Sequence, residues 1–317
     1  MALNTVGAIL YFFTRQPRFM AARMLKFLSA MVSHRVMVTI EQSEVLQDLL
    51  SKDQLGFGCL DTWLLLKLTD GKVHVAEASN YSSSGMFDPF LNDYNRVILR
   101  IIRFPMVILP PLVDSADSTP LGYVSQRFFS KTIPIYAVIA DQQSALYGSG
   151  GWRRGDVKSY LGIHRGLQTP INDDTACCGF LGFRPDTTKA HMVRAILESI
   201  AFRVYQIFET MRDEVHILDK PRIRICGGVA ANDFICETIA TLTDSEIHRM
   251  KDGGFVASRG AALLAGYAQG LWDQSELEYM IDVDHCFFPS EENSSEVRKA
   301  YELWLKAVQR CSRFYDP

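Results

Sequence analysis

The spacing of apolar and polar positions splits the chain into a first part of helices and loops and a second part in which strands and helices alternate. Val45–Leu50 and Cys59–Leu68 read as helices. In the second of these, Leu60, Leu64, Leu65 and Leu68 fall at core spacing, and Asp61 stands in the first turn, where a carboxylate suits the helix dipole. Gly71–Val75 reads as a turn entering a short strand. Residues 95–132, with Pro105, Pro110, Pro111 and Pro120, read as an irregular surface connection. Ile133–Ala140 reads as a buried strand running straight into a helix entry at Asp141–Gly148. The clearest helix is His191–Glu214, with Met192, Val193, Ile196, Leu197, Ile200, Val204, Ile207, Phe208 and Met211 forming one apolar stripe. A strand at Arg222–Cys226 leads through Gly227-Gly228 to a helix from about Asn232. Gly260–Gly270 is an Ala- and Gly-rich helix suited to close packing. The helix Glu296–Val308 puts Val297, Tyr301, Trp304 and Val308 on one side. This alternation predicts an α/β domain in the second part.

Composition narrows the function classes. A formal net charge of −3 on 317 residues leaves no basic surplus for a nucleic-acid partner. The cysteines form neither a CxxC pair nor a Cys/His zinc spacing, so no metal site is expected and a reducing cytoplasmic setting fits. Met1–Ile40 lacks Asp and Glu but carries Arg15, Arg18, Arg23, Lys26 and Arg35. Two readings stay open there. One is a mitochondrial targeting peptide, which keeps mitochondrial association in play; the other is an ordinary helix with Met24, Leu25, Leu28 and Val32 at helical spacing. The apolar run Val6–Phe13 is too short to span a membrane, so no integral membrane segment is expected.

Two strand-to-helix junctions are candidates for chemistry. Asp141 ends an apolar run at a helix start, where α/β folds place ligands. A carboxylate there is able to take a proton from an attacking hydroxyl, and equally able to cap the helix. Gly227–Asn232 (GGVAAN) offers backbone amides at a positive helix end, which suits a nucleotide but also describes any tight turn. It is not GxGxxG, and no Walker A sequence occurs. Lys189, His191 and Arg194 read as solvated. His216 and His248 have no carboxylate partner assignable from sequence, and Asp252-Gly253-Gly254 reads as a turn.

Six segments in order carry a resemblance to a known family. They are GFGCLDTWLLLKLTDGKVHVAEASNYSSSGMFDPF (Gly56–Phe90), VIADQQSALYG (Val138–Gly148), GLQTPINDD (Gly166–Asp174), GFLGFRPDTTKAHMVRAILESIAFRVYQIFETM (Gly179–Met211), GGVAANDF (Gly227–Phe234) and SRGAALLAGYAQGLW (Ser258–Trp272). Together they resemble the FGGY family of carbohydrate kinases, glycerol kinases above all. GLQTPINDD, which lacks a tryptophan, is similar to an animal branch of these enzymes. The resemblance implies an α/β fold of two actin-like, ribonuclease-H-like domains. It also implies ATP with Mg²⁺ as cofactors and a polyol such as glycerol as substrate, with homo-oligomers common among relatives. It puts Asp141 on the catalytic base that also binds substrate, and Gln142 on a substrate-binding neighbour. Gly227 and Gly228 with Asn232 fall on the nucleotide's adenine side.

The departures are equally specific. Nothing in Met1–Ser51 matches the family's opening phosphate loop or its substrate-gripping pair. After Gly155–Lys158 (GDVK), where the family has a second phosphate-holding hairpin, Ser159-Tyr160-Leu161-Gly162 goes almost straight to GLQTPINDD. The resemblance therefore implies an incomplete first domain over 1–132 and a shortened C-terminal domain over 133–317, with an internal deletion near 158–159. Phosphoryl transfer rests on positioning and charge stabilisation, so losing both hairpins implies impaired turnover. A nucleotide-binding protein without turnover is the alternative.

Overall fold

A computed structural model of the chain describes residues 11–15, 31–153, 156–160, 167, 170, 171, 173, 175–215, 221–251 and 253–315. Internal contacts divide the chain into one unit of Met1–Gln143 with Ala261–Asp273 and another of Ser144–Gly260 with Gln274–Pro317. The basic start, including Arg18, Arg23 and Lys26, lies outside the described residues, as do His216, Asp252, Gly155 and much of GLQTPINDD.

In the first unit, α1 (Val32–Glu41) is followed by α2 (Glu44–Ser51), whose first turn is capped by the Ser43 hydroxyl accepting the Leu46 N–H. Next come α3 (Leu60–Leu68), β1 (Ala76–Glu77), α4 (Ala78–Tyr81), the antiparallel pair β2 (Phe87–Asp88) and β3 (Asp93–Tyr94), and α5 (Arg96–Ile101). β4 (Leu112–Val113) runs parallel to β1, and β5 (Gly122–Val124) pairs antiparallel with β6 (Ile133–Ile135) ahead of α6 (Asp141–Gly148), which belongs to the second unit from Ser144 on. Tyr81, Met86, Leu99, Phe104 and Ile108 are among the buried residues of its core. Two sequence expectations are corrected here. The 95–132 stretch is not a surface connection throughout: its prolines stand between short elements, and Leu99, Phe104 and Ile108 are buried. Ile133–Ala140 is not a buried strand: only Ile133–Ile135 pairs, and Ile133 is 41% exposed. Pro134 has no N–H to extend a ladder, and the sheet has two strands, so nothing demands burial on both faces.

The second unit is built on a four-stranded sheet in the order β10-β9-β8-β7. Its elements run β7 (Val157–Tyr160), α7 (Lys189–Val215), β8 (Ile223–Cys226), α8 (Asp233–Thr243), β9 (Ile247–Met250), α9 (Val256–Ala268), α10 (Gln274–Tyr279), β10 (Val283–Phe287) and α11 (Glu291–Cys311). β7, β8 and β9 are parallel and β10 antiparallel, and every residue of β8 is buried. Asp156, just before β7, fixes the β7–β8 register. Its carboxylate accepts from Arg222 at 3.2 and 3.1 Å and from Arg224 at 3.2 Å. Burial lowers the Arg224 pKa and the Asp156 charge works against that shift. Among the described residues, no strand pairs with the other edge of β7.

The expected stripe on α7 holds in part: Phe208 is buried and Leu197, Ile200 and Val204 pack on the core, whereas Val193 and Ile196 are exposed and Ala201, Phe202 and Tyr205 complete the buried face. The aromatic rings decide the face: Phe202 and Tyr205 pack edge-on against Tyr301 of α11, with ring centres 5.7 and 4.9 Å apart. α11 uses the expected side, with Val297, Tyr301 and Trp304 on this core and Val308 also buried.

The start of α9 crosses the end of α6 at backbone contact, which only glycine permits. A Cβ on Gly260 would stand 1.8 Å from the Ser144 carbonyl oxygen, and one on Gly148 2.2 Å from the Val256 carbonyl oxygen. The Ser144 hydroxyl closes the junction by donating to the Ala257 carbonyl. Because the clash is with backbone, Gly260→Ala is expected to destabilise the protein by at least about 1–3 kcal/mol, the usual range for overpacking. Denaturant unfolding checks this, and a variant as stable as wild type would contradict the crossing.

Candidate functional site

Asp141 is the first residue of α6 and is exposed. Its Oδ1 accepts the Gln142 N–H at 2.7 Å, a bond favoured at a helix start. Gln142 is exposed beside it. The backbone leading to Asp141 is irregular but tightly held. The Val138 N–H donates to the Ser115 carbonyl at 2.9 Å, Ala137 pairs with Ala116, and the Ala140 N–H donates to the Ser79 hydroxyl at 2.8 Å. Ser79 Oγ in turn donates to Glu77 Oε2 at 2.6 Å.

Glu77 is the residue that sequence reading missed. It ends β1 at 0% exposure, and its carboxylate accepts from the Ser79 and Asn80 N–H groups, the Asn80 amide, and the Ser79 and Ser115 hydroxyls. Its neighbours in sequence, Ser79 and Asn80, carry the signal of a local cap; the link to Ser115, 38 residues away, carries none.

Asp61 is the other acid the structure recasts. It lies in the first turn of α3, as expected, but both carboxylate oxygens are buried and make no well-formed hydrogen bond. Burial raises its pKa above the usual carboxylate value and the nearby Glu77 charge adds to that, while the amides of Thr62 and Glu77 offset only part. Close by, Cys59 is pushed up to about 11, chiefly by burial.

The second candidate lies in the other unit. β8 ends at Cys226 and the chain turns at Gly227, whose φ of 102° is strained for any residue with a side chain. A 3-10 turn over Gly228–Ala231 leads to Asn232, which caps α8 by accepting the Ile235 N–H at 3.3 Å. Asn232 and Gly228 are exposed, and no atom lies within 4 Å of a Cβ placed on Gly228. The structure thus leaves the Asn232 NH₂ and the face of Gly228 open to a flat ligand. Gly253 lies against this turn, its added Cβ 3.4 Å from the Gly227 nitrogen. The turn is also clamped from below, since Arg249 pairs with Asp233 at 2.5 Å and Asp284 at 2.7 Å.

The weaker candidates stay weak. His191 is exposed, Arg194 pairs with Glu198 at 2.7 Å, and His248 sits 3.4 Å from Glu246, a partner that sequence had not assigned. Among the described residues no three His, Cys, Asp or Glu side chains gather as metal ligands, and no helix is long and apolar enough to cross a membrane.

Known proteins give this geometry a context. The N-terminal domain of the FGGY family of carbohydrate kinases matches residues 43–148, and the C-terminal domain of that family matches residues 155–269. Human glycerol kinase 5 is 31% identical over 97% of this chain and 72% of its own length, and the Danio rerio glycerol kinase 5 is 30% identical over 99% and 75%. The human alignment runs over 388 positions against 317 residues here, so that relative has residues inside the matched span with no counterpart in this chain. Among solved structures, Plasmodium falciparum glycerol kinase with ADP superposes with a TM-score of 0.77 at 19% identity, covering 88% of this chain and 71% of that one. Gluconate kinase from Lactobacillus acidophilus superposes at 0.75 and 14%, covering 89% and 72%. The fold is the actin-like one shared by these sugar kinases.

The Asp61 environment yields a pH prediction. A carboxyl whose folded pKa lies above the unfolded value of about 3.9 adds its stability below that value and loses it as pH rises through the folded one. Asp61→Asn is therefore expected to raise Tm at pH 7 above that of the wild type. The gap should close near pH 4. Melting curves at the two pH values check this, and a variant that melts lower at pH 7 would contradict it.

Proposed function

The chain belongs to the FGGY family of carbohydrate kinases, and on that premise we propose that it is built for ATP-dependent phosphorylation of a polyol, glycerol being the first candidate, with reduced turnover in this sequence. The observation that carries the reading is the exposed carboxylate of Asp141 on a rigidly held helix start.

In this reading a polyol hydroxyl lies against Asp141 with Gln142 beside it. Asp141 takes the hydroxyl proton as the oxygen attacks the γ-phosphorus; the new O–P bond forms as the bond to the β-phosphate oxygen breaks, and ADP leaves. The adenine lies on the open Gly227–Gly228 turn, where the lack of side chains admits a ring and Asn232 has NH₂ to offer. Mg²⁺, when bound with ATP, neutralises phosphate charge. It is ordinarily held by phosphates, water and one or two carboxylates, which agrees with a site that has no dedicated ligand cage among the described residues.

Reduced turnover is supported by β7, whose other edge pairs with no strand among the described residues and after which the sequence departs from the family pattern, and by the extra residues of the human relative. A missing preorganised donor costs about 3–4 kcal/mol of transition-state stabilisation in other enzymes. A nucleotide-binding role without turnover is favoured by the same edge and is the second reading.

An ADP-release assay with glycerol and related polyols tests the proposal. The expected result is a rate below the roughly 1–100 s⁻¹ of ordinary kinases, cut a further 10²–10⁴-fold or so by Asp141→Asn, the usual contribution of a general base. Turnover that survives Asp141→Asn unchanged would remove Asp141 from the chemistry, and turnover at a full kinase rate would refute the impairment.

A further inference from the structure

We infer that Glu77 and Ser79 are positioning residues for Asp141, acting through the backbone that precedes it. The inference rests on the reading of Asp141 as the base.

The geometry is a relay of three groups. Glu77 sits at 0% exposure with donors on both carboxylate oxygens. A carboxylate accepts at both oxygens, whereas a carboxamide would turn an NH₂ toward groups that themselves donate. Ser79 Oγ gives its proton to Glu77 at 2.6 Å, which orients the hydroxyl so that its lone pairs face the Ala140 N–H at 2.8 Å. The peptide one residue before Asp141 is thereby tied to a carboxylate 63 positions upstream. A second tie runs through Ser115, whose hydroxyl donates to Glu77 while its carbonyl accepts the Val138 N–H at 2.9 Å. Glu77 therefore holds Ala140 through Ser79, while Val138 is held by the Ala116–Ala137 bridge, whose bonds run from the Val138 N–H to the Ser115 carbonyl and from the Asp117 N–H to the Tyr136 carbonyl, on the segment whose Ser115 hydroxyl also donates to Glu77. Asp141 is exposed, so little packing on its own side chain holds it; its direction is inherited from this backbone. Neither Glu77 nor Ser79 needs to touch a substrate for this role. Misplacing a reacting group by about 1 Å is enough to cost on the order of 10²-fold in rate.

The test compares Ser79→Ala, Ser79→Thr and Glu77→Gln in the full chain, reading amide hydrogen exchange across residues 138–142 together with ADP-release kinetics. Ser79→Ala removes only a hydroxyl, so it remains informative where Glu77→Gln fails to fold. The expected result is exchange at Ala140 about tenfold faster in Ser79→Ala, the effect of one lost hydrogen bond. Exchange in the four-stranded sheet should stay unchanged, and Ser79→Thr, which keeps the hydroxyl, should restore the wild-type rate. Where the chain turns over, Ser79→Ala should lower kcat about tenfold or more with KM for ATP unmoved. Unchanged exchange at Ala140 overturns the inference whether or not there is turnover. Faster exchange with undiminished kcat overturns the positioning role. A wild-type chain with no Asp141-dependent turnover counts instead against the proposed function, and leaves the exchange result to decide whether the relay holds this backbone.

Discussion

A buried carboxylate has to be satisfied, and the first unit is organised around that requirement. Glu77 lies in the core with donors on both oxygens. An unpaired charge at that depth would cost several kcal/mol. The donors come from the turn of α4 and from the strand extension after β4, so meeting the requirement fixes where those segments sit. They then hold the backbone before α6 through Ser79 and Ser115. The neighbouring Asp61 shows the opposite case: a carboxylate buried without a well-formed hydrogen bond, whose pKa rises mainly because burial penalises its charge.

The second unit solves a different problem by similar means. Its parallel strands need a fixed register, and Asp156 supplies it by gathering Arg222 and Arg224 of β8 at the foot of β7. At the other end of β8 the chain turns through Gly227 in a backbone region closed to other residues, and the turn is held by Gly253 and the Arg249 pairs. The result is an open, side-chain-free face at Gly228, positioned by rigid elements on either side. Each unit thus offers one exposed feature with a rigid support: a carboxylate in the first and a glycine turn in the second.

Much of this was legible in the sequence wherever the information was local. The α7 helix, expected over His191–Glu214, runs Lys189–Val215, and the strand expected at Arg222–Cys226 runs Ile223–Cys226. Asp141 and Gly227–Asn232 stand at helix starts, as their spacing implied. What failed was non-local. On α7 the periodicity finds Leu197, Ile200, Val204 and Phe208 but not Phe202 and Tyr205, whose burial is set by the Tyr301 ring on α11, about a hundred residues away. The 133–140 run looked like a buried strand because it is apolar, yet Pro134 and the lack of further strand partners leave it short and half exposed. Glu77 was passed over because its role depends on Ser115 and, through Ser79, on Ala140, neither of which is near it in sequence.

On the proposed function, this chain keeps the base and the adenine side of a kinase, with a weakened hold on the phosphates. Calorimetric titration with ATP, ADP and AMP, each with and without Mg²⁺, tests that division most directly. If the adenine turn supplies nearly all the binding, the three nucleotides should bind with affinities within about tenfold of one another, a difference of roughly 1.4 kcal/mol, and Mg²⁺ should change them little. ATP binding a hundredfold or more tighter than AMP, and only with Mg²⁺, would show a working grip on the phosphates and contradict the account.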